Sequence, residues 1–278
     1  MQNGLNKSKV EDEKKKLIKF FDGIKNNYDI KHLIVERKNT STAVNYGIRE
    51  SKEKYVMFAS SHSYYEDGYI DRLFAEIKNN KKIYVIGGRV VCLPGSSDQI
   101  ADAVRDAFSS YLGCFSRYRS LKKQEKYFHT DRTYSAIYTK SALERINLFD
   151  ETKERAQDID VARRLIQSGG DAIIFPVKNV YWILTAKTPS DLYKRYFNQG
   201  YWTVKYNIGN RNYFIVLAII LVFTFGKIFW GSLMKNFILG FFVCIMVYSF
   251  KISKRKSNTL IVATSLIFAY AGYFLGII

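Results

Sequence analysis

The sequence is short of acidic residues and of cysteine, and its amino terminus has no apolar signal core. Among 278 residues there are 25 Asp and Glu against 43 Lys and Arg, which gives a formal net charge of +18. The cysteines, Cys92, Cys114 and Cys244, are scattered, and no pair has metal-binding or redox spacing. A disulfide framework is therefore not expected, and a reducing compartment is favoured. Without a signal core, the amino-terminal part has no obvious route across a membrane.

The excess of basic residues indicates an anionic partner, and three kinds come into question: membrane headgroups, nucleotide phosphates and nucleic acid. The chain has no zinc-finger spacing, no short nucleic-acid recognition motif and no basic region that runs into heptads. We therefore predict no nucleic-acid partner. A basic protein that binds nucleic acid or lipid headgroups is a further hypothesis, beside the functions considered below. It accounts for the charge alone, and it predicts binding that is steeply salt-sensitive.

The carboxyl-terminal quarter of the chain is dominated by long apolar runs. They cover Tyr213–Trp230, Phe237–Phe250 and Leu260–Ile278. About 20 apolar residues are needed to cross a bilayer core, so the first and third runs qualify by length. The second qualifies only if Leu233 and Met234 are included. We predict three transmembrane helices within 212–278; the alternative is a helical hairpin buried in a soluble core.

Basic residues beside these runs predict the orientation of the chain. A basic segment, Lys251–Lys256, separates the second run from the third, and Lys205 and Arg211 end the polar part of the chain. By the positive-inside rule both belong in the cytoplasm. We therefore predict a multi-pass protein of the inner or plasma membrane, with the polar domain cytoplasmic and the carboxyl terminus outside.

Strand-like and helix-like segments alternate in the polar part. The predicted elements are helices at 10–27, 41–51, 69–78, 140–146, 157–168 and 189–202, and strands at 32–36, 55–59, 83–86, 130–138 and 172–175. Such alternation predicts an α/β fold with a mostly parallel sheet and flanking helices. Ligands bind at the carboxyl ends of parallel strands, and the polar cluster Ser60-Ser61-His62 follows one of them.

Several motifs in order resemble family 2 glycosyltransferases, particularly the bacterial exopolysaccharide (succinoglycan-type) branch. The segment Asn39–Tyr65 has a small-residue helix with Asn-x-Gly leading into a strand that ends in the polar cluster. Gln157-Asp158-Ile159-Asp160 opens a later helix, and Arg195–Trp202 precedes the apolar runs. The resemblance implies a GT-A fold, a nucleotide-sugar donor, a divalent metal and inversion at the anomeric carbon.

The resemblance also implies a donor site, with one departure from the family pattern. In that branch the strand ends Asp-Ala-His, whereas here Ser60 replaces the aspartate and His62 remains. Mg²⁺ or Mn²⁺ prefers carboxylate oxygen, so His62 is expected to be a weak metal ligand; alternatively, it is a strand-end histidine bonded to backbone. The implied donor and diphosphate ligands are Asn3, Ser60, His62, Arg195, Gln199 and Trp202.

Asp158 matches the family's general base, which takes the proton from the acceptor hydroxyl, and Gln157 replaces the usual glutamate. Asp131 and Gln157 are expected on the acceptor side. The alternative for Asp158 is an ordinary acidic residue at a helix start. The helix predicted in 189–211 resembles the family's interfacial helix, where Arg pairs with phosphate and Trp stacks; as an amphipathic helix it also suits membrane headgroups.

The chain also lacks the beginning of the family pattern. It starts within the family's second motif, of which Asn3–Ser8 is the remnant, so the resemblance implies an amino-terminally truncated GT-A-like domain over 1–188. A partner chain that supplies the missing strands is one expectation.

Two functions remain open. One is a hexosyltransferase that passes a sugar to a lipid-linked or growing polysaccharide acceptor. The other is an inactive or split remnant that serves as a membrane-bound binding or scaffold subunit.

Overall fold

The computed structural model describes residues 39–59, 63–114, 123–124, 126–206 and 231–277. The helix predicted over 10–27, the strand over 32–36, Asn3, the Ser60–His62 cluster and the apolar run Tyr213–Trp230 lie outside these residues.

The described residues form nine α-helices and six strands. The helices are α1 (Thr40–Glu50), α2 (Tyr69–Asn79), α3 (Gln99–Ser109), α4 (Tyr111–Cys114), α5 (Lys140–Arg145), α6 (Gln157–Gln167), α7 (Pro189–Lys205), α8 (Gly231–Ile252) and α9 (Thr259–Ile277). The strands are β1 (Tyr55–Met57), β2 (Ser63–Tyr65), β3 (Ile83–Leu93), β4 (Phe128–His129), β5 (Ile137–Thr139) and β6 (Asp171–Ile183).

The sheet is mixed, and the prediction of a mostly parallel sheet was wrong. Its order is β1-β5-β3-β6-β2, with β4 also paired to β6. Among the described strands only β3 and β6 pair in parallel, whereas β1–β5, β3–β5, β2–β6 and β4–β6 are antiparallel. The reason is that β5 inserts between β1 and β3 in the opposite direction. A strand placed in this way needs no helical crossover to its neighbours, so the alternation of elements along the sequence did not reveal it.

Two strands extend well beyond their predicted ends. The sequence predicts that β3 ends at Gly87-Gly88, but the strand continues to Leu93 through an irregularity after Gly87. A side chain at Gly88 would place its Cβ 2.4 Å from the ring of Tyr69. Glycine here lets that ring lie against the strand, so the pair marks a close approach rather than a strand end. β6 likewise runs to Ile183, beyond its predicted end at Phe175.

Both faces of the sheet are covered. One core includes Tyr69 and Phe108 with α7 and α9 side chains such as Tyr196 and Tyr273. The opposite core joins Ile48 of α1 to side chains of α5 and α6. This arrangement confirms the predicted α/β architecture of a sheet with flanking helices.

The start of α1 differs from its prediction by one residue. The sequence predicts a helix from Ser41, but the helix begins at Thr40, and the side chain of Asn39 accepts the capping hydrogen bond from the backbone N–H of Thr42, at 2.9 Å. Asparagine is among the best capping residues because its oxygen reaches these free N–H groups. Ile48 and Asn45 lie on the buried face of the helix.

Three membrane-spanning helices are predicted, and the first of the three apolar runs lies outside the described residues. Among the described residues one helix, Lys256–Ile277, is long and apolar enough to cross a membrane, and Leu239–Ile252 is a shorter apolar helix. Close to half of the spanning stretch is buried within the protein. Its Ala269 and Tyr273 belong to the core shared with α7, so α9 packs directly on the α/β part of the chain.

α8 presents an apolar surface. Leu239, Val243, Val247 and Phe250 are all exposed, while Ile245 faces inward. The basic segment that follows α8 is fixed to α3, since the backbone N–H of Lys254 donates to Asp106 at 2.9 Å.

Candidate functional site

The end of β1 lies beside the start of α6. The ring of Phe58, just after β1, packs against Tyr138 of β5 and against Phe149, with ring centroids 5.1 Å apart in both cases. Burial raises the pKa of Tyr138, and the negative charge of Asp158 raises it further. Asp158 is therefore close to Tyr138, on the side of the sheet where β1 ends.

Asp158 occupies the first turn of α6, where free backbone N–H groups favour an anion. Its side chain keeps some access to solvent, but the surrounding protein removes enough water that desolvation raises the pKa of the carboxyl group. The backbone N–H of Ile159 and the charge of Arg132 act in the opposite direction, while Asp131 raises the pKa. A recessed carboxylate with a raised pKa is well suited to accept a proton.

Asp131 and two arginines complete the charged part of the site. The Nε of Arg163 lies 2.7 Å from Asp131, and Arg132 lies 3.9 Å from the same carboxylate. Arg132 therefore interacts with both Asp131 and Asp158. Asp131, predicted on the acceptor side, is held in an ion pair here.

The segment between Asp131 and β5 is fixed by tyrosines. Ser135 has a positive φ of 48°, which is uncommon for a residue with a side chain. Its carbonyl accepts from the hydroxyl of Tyr69 at 3.0 Å, and its own hydroxyl accepts from Tyr65 at 3.3 Å. The hydroxyls of Ser63 and Tyr134 lie 2.9 Å apart. These bonds tie β2, which follows the Ser60–His62 cluster, to the segment that carries Asp131 and Arg132.

Helix α7 borders the same region. The guanidinium of Arg195 lies over the ring of Trp182, 4.9 Å from its centroid, and Trp182 contacts Tyr134 at 5.9 Å. Two turns later, Trp202 stacks on Tyr206 with an interplanar angle of 13°. Arg195 of α7 therefore lies near the Tyr134 segment, and Tyr206, just after the end of α7, reaches the loop before α6.

The carboxyl-terminal end of α7 is anchored to that loop. The hydroxyl of Tyr206 accepts a hydrogen bond of 3.1 Å from the backbone N–H of Glu154. Gln199 lies on α7 between Arg195 and Trp202 and is partly exposed. Gln157, predicted on the acceptor side, donates to the carbonyl of Lys153 at 3.3 Å.

The structure brings together only part of the predicted site. Asp131, Gln157 and Asp158 lie near the start of α6, and Arg195, Gln199 and Trp202 share α7. Asn3, Ser60 and His62 lie outside the described residues, so their placement stays a prediction. Across the residues that the structure describes, no group of three or more His, Cys, Asp or Glu side chains could hold a metal ion. The described side chains alone therefore do not form a metal site.

Several residues of the site were missed in the sequence. Arg132 follows Asp131 directly, and Arg163 lies in the same helix as Asp158, so both could have been found by pairing charges near the predicted base. Trp182 and Tyr134 gave no such signal. Their contact depends on β6 extending past Phe175, which the sequence pattern did not indicate.

Comparison with known proteins adds a family match. The family described as Glycosyl transferase family 2 matches residues 9–146, just under half of the chain. Asp158 and helix α7 lie after the matched segment. No curated protein matches the chain.

Solved structures show distant likenesses. GalNAc-T7 with UDP, GalNAc and Mn²⁺ matches at 13% identity and a TM-score of 0.46, over 73% of this chain and 42% of that one. The mannosyltransferase PcManGT from Pyrobaculum calidifontis, in complex with GDP-Man and Mn²⁺, matches at 12% identity and a TM-score of 0.49, over 85% and 68%. S. aureus TarS 1-349 matches at 12% identity and a TM-score of 0.44, over 94% and 77%.

The chain thus spans about two fifths of the GalNAc-T7 structure. The ligands named for these structures belong to those proteins. The sequence match is the informative one: residues 9–146 are similar to glycosyl transferase family 2.

Proposed function

We propose that this protein is a membrane-associated family 2 glycosyltransferase with a GT-A-type domain. It transfers a sugar, as a hexosyltransferase, from a nucleotide sugar to a lipid-linked or growing polysaccharide acceptor of the exopolysaccharide type. The observation that carries the proposal is Asp158, a recessed carboxylate at the start of α6, beside Arg132 and next to the end of β1. The family match over residues 9–146 supplies the reaction class.

Asp158 acts as the general base. Its carboxylate takes the proton from the acceptor hydroxyl while that oxygen attacks the anomeric carbon and the bond to the nucleoside diphosphate breaks. Attack on the face opposite the leaving group inverts the anomeric configuration. The raised pKa brings the carboxylate closer to the acidity that proton transfer near neutral pH requires, and a well-placed base contributes about 10²- to 10⁴-fold in rate.

Helix α7 supports binding of the diphosphate. The guanidinium of Arg195 lies beside Trp182 and the Tyr134 segment. An arginine in this place can bind a phosphate through paired hydrogen bonds. Gln199 and Trp202 follow on the same helix, and Trp202 offers a ring on which a base or sugar can stack. A divalent metal remains part of the proposal through Ser60 and His62, but no step of the mechanism depends on it.

We also propose that the domain works on the cytoplasmic side of the inner or plasma membrane, held there by several passes of the chain. Exposed apolar side chains of α8, such as Val243 and Val247, support this placement, as does the apolar composition of α9. The packing of α9 on α7 would hold the site at the headgroup layer, where a soluble donor meets a lipid-borne acceptor.

Donor turnover tests the function directly. The full chain, purified in mild detergent, is given a panel of UDP- and GDP-sugars with a lipid extract as acceptor, with Mn²⁺ or with EDTA, and the release of UDP or GDP is measured. We expect turnover with at least one donor. Asp158→Asn should lower kcat by about 10²- to 10⁴-fold, because the amide cannot take up the proton.

Asp171→Asn is the matched control, since Asp171 is a partly exposed carboxylate at the start of β6 that pairs with an exposed histidine. It should leave turnover unchanged. Since burial raises the folded-state pKa of Asp158, its anion opposes folding above that pKa. Asp158→Asn should therefore not lower the Tm at neutral pH, and any gain in stability should vanish in acid, where the carboxyl is protonated in both states.

Two results would overturn the proposal in different ways. Equal activity of Asp158→Asn and the wild type would remove Asp158 from the mechanism. A wild type that turns over none of the donors, yet binds one in isothermal titration, would favour the binding or scaffold subunit instead.

A further inference from the structure

The turn between α5 and α6 includes a leucine in a backbone conformation that leucine does not favour. Asn147 and Leu148 both have positive φ, 59° and 61°. Side chains make this left-handed conformation costly, and leucine is especially unsuited to it. Surrounding contacts must therefore hold the turn in place.

Asn45 of α1 holds one side of this turn. Its amide Nδ2 donates to the carbonyl of Phe149 at 2.8 Å, and its Oδ1 accepts from the backbone N–H of Phe149 at 2.9 Å. The same Nδ2 lies 2.9 Å from Glu151 Oε1. Asn45 is only 1% exposed, so its two bonds to Phe149 are shielded from water. An amide is required here, because the side chain must donate and accept at once.

Arg164 of α6 holds the other side. One guanidinium nitrogen donates to the carbonyls of Ile146 and Leu148, at 2.6 and 2.7 Å. Its Nε bonds to Asp160 at 2.8 Å, and Asp160 also pairs with Lys153. The arginine therefore ties the turn to the helix that carries Asp158.

The turn leads directly into the site. Phe149 packs on Phe58 and lies 6.2 Å, between ring centroids, from Tyr138, whose pKa the charge of Asp158 raises. After it, the chain enters α6 through Ala156, whose φ of 59° is again left-handed. Asp158 follows two residues later, so a shift of the turn is passed on to its carboxylate.

We infer that Asn45, with Arg164, is a positioning residue that holds the 146–156 loop and thereby sets the place of Asp158. The sequence singles out Asn45-Tyr46-Gly47 only as a helix feature, and the proposed mechanism leaves it without a role. The catalytic part of the inference rests on the proposed function, whereas the positioning part does not.

Hydrogen exchange measured by mass spectrometry tests the positioning. Asn45→Ala is compared with Ile48→Ala, which removes a buried apolar side chain of the same helix from the core that includes Leu148 and Phe149, and leaves the hydrogen bonds of the turn in place. Both variants lose packing, so they are compared under conditions of equal global stability. We expect exchange in peptides covering 146–160 to be at least tenfold faster in Asn45→Ala than in Ile48→Ala.

A charge-swap pair provides a rescue. Asn45→Asp loses the donor and places a carboxylate against Glu151, so it should also open the loop. Adding Glu151→Gln restores an amide beside the new carboxylate and should recover part of the protection. Equal exchange in Asn45→Ala and Ile48→Ala, or no recovery in the double variant, would overturn the inference.

Turnover separates the two proposals. With UDP-glucose or GDP-mannose, whichever supports wild-type turnover, Asn45→Ala should lower kcat at least tenfold with KM within twofold, while Ile48→Ala keeps its kcat. An unchanged kcat in Asn45→Ala, together with faster exchange, would overturn the catalytic part. If the wild type turns over no donor of the panel, the exchange result still decides the positioning, and the proposed function fails separately.

Discussion

The packing of α9 on α7 depends on three glycines, and replacing one of them tests whether these helices form one body. A Cβ at Gly272 would lie 2.3 Å from the carbonyl oxygen of Tyr193. At Gly276 it would lie 2.0 Å from that of Phe197, and at Gly200 2.3 Å from that of Tyr273. The obstacle in each case is backbone, which cannot rotate away as a side chain can.

The size of the effect follows from these distances. Ordinary contact begins near 3.4 Å, so Gly272→Ala requires a separation of 3.4 − 2.3 = 1.1 Å between the helices. Forcing extra volume into a packed contact costs about 1–3 kcal/mol. Alanine regains up to about 1 kcal/mol through its helix propensity. We therefore expect a net destabilisation of as much as about 2 kcal/mol.

The assay is urea unfolding in mild detergent, followed by tryptophan fluorescence, since Trp182 and Trp202 lie on or beside α7. Gly240→Ala is the matched control: it is the same change in the apolar helix α8, where no atom lies within 4 Å of the added methyl group. This control should be neutral or slightly stabilising.

Equal midpoints for Gly272→Ala and Gly240→Ala would refute the reasoning. In that case α9 would not be packed on α7 as the structure has it, and the link between the apolar helix α9 and the site would be lost.

Two further predictions concern charge. Arg132→Ala should move the acid limb of the pH profile of kcat/KM to higher pH, because the arginine lowers the pKa of Asp158. Asp131→Asn should move the limb to lower pH, because Asp131 raises that pKa. Shifts of both variants in the same direction would contradict these charge effects. The double variant Lys254→Ala, Arg255→Ala should bind anionic vesicles more weakly, by about 1 kcal/mol per residue, and should bind neutral vesicles as the wild type does. Flotation with vesicles of each kind measures this binding. The control replaces Lys81 and Lys82, which lie in an exposed turn, with alanine. An equal loss of vesicle binding in this control would show that only the net charge matters.

The helices were largely predictable because their signals are local. The start of α7 follows from Pro189 and the capping residue Thr188, whose side chain binds the backbone N–H of Asp191. The end of α6 follows from Gly169, which has a φ of 92°. Asp158 was recognised from its motif at a helix start, although its role stays a proposal.

What only the tertiary structure decided depends on residues far apart in the sequence. The antiparallel insertion of β5 and the extension of β6 have no local signal. The raised pKa of Asp158 arises from desolvation, which is a property of the surrounding packing. The sequence by itself therefore determined which segments are helical or apolar, since periodicity and capping act within a few residues. The environment of the carboxylate was decided by folding, because burial and charge pairing depend on which distant segments meet.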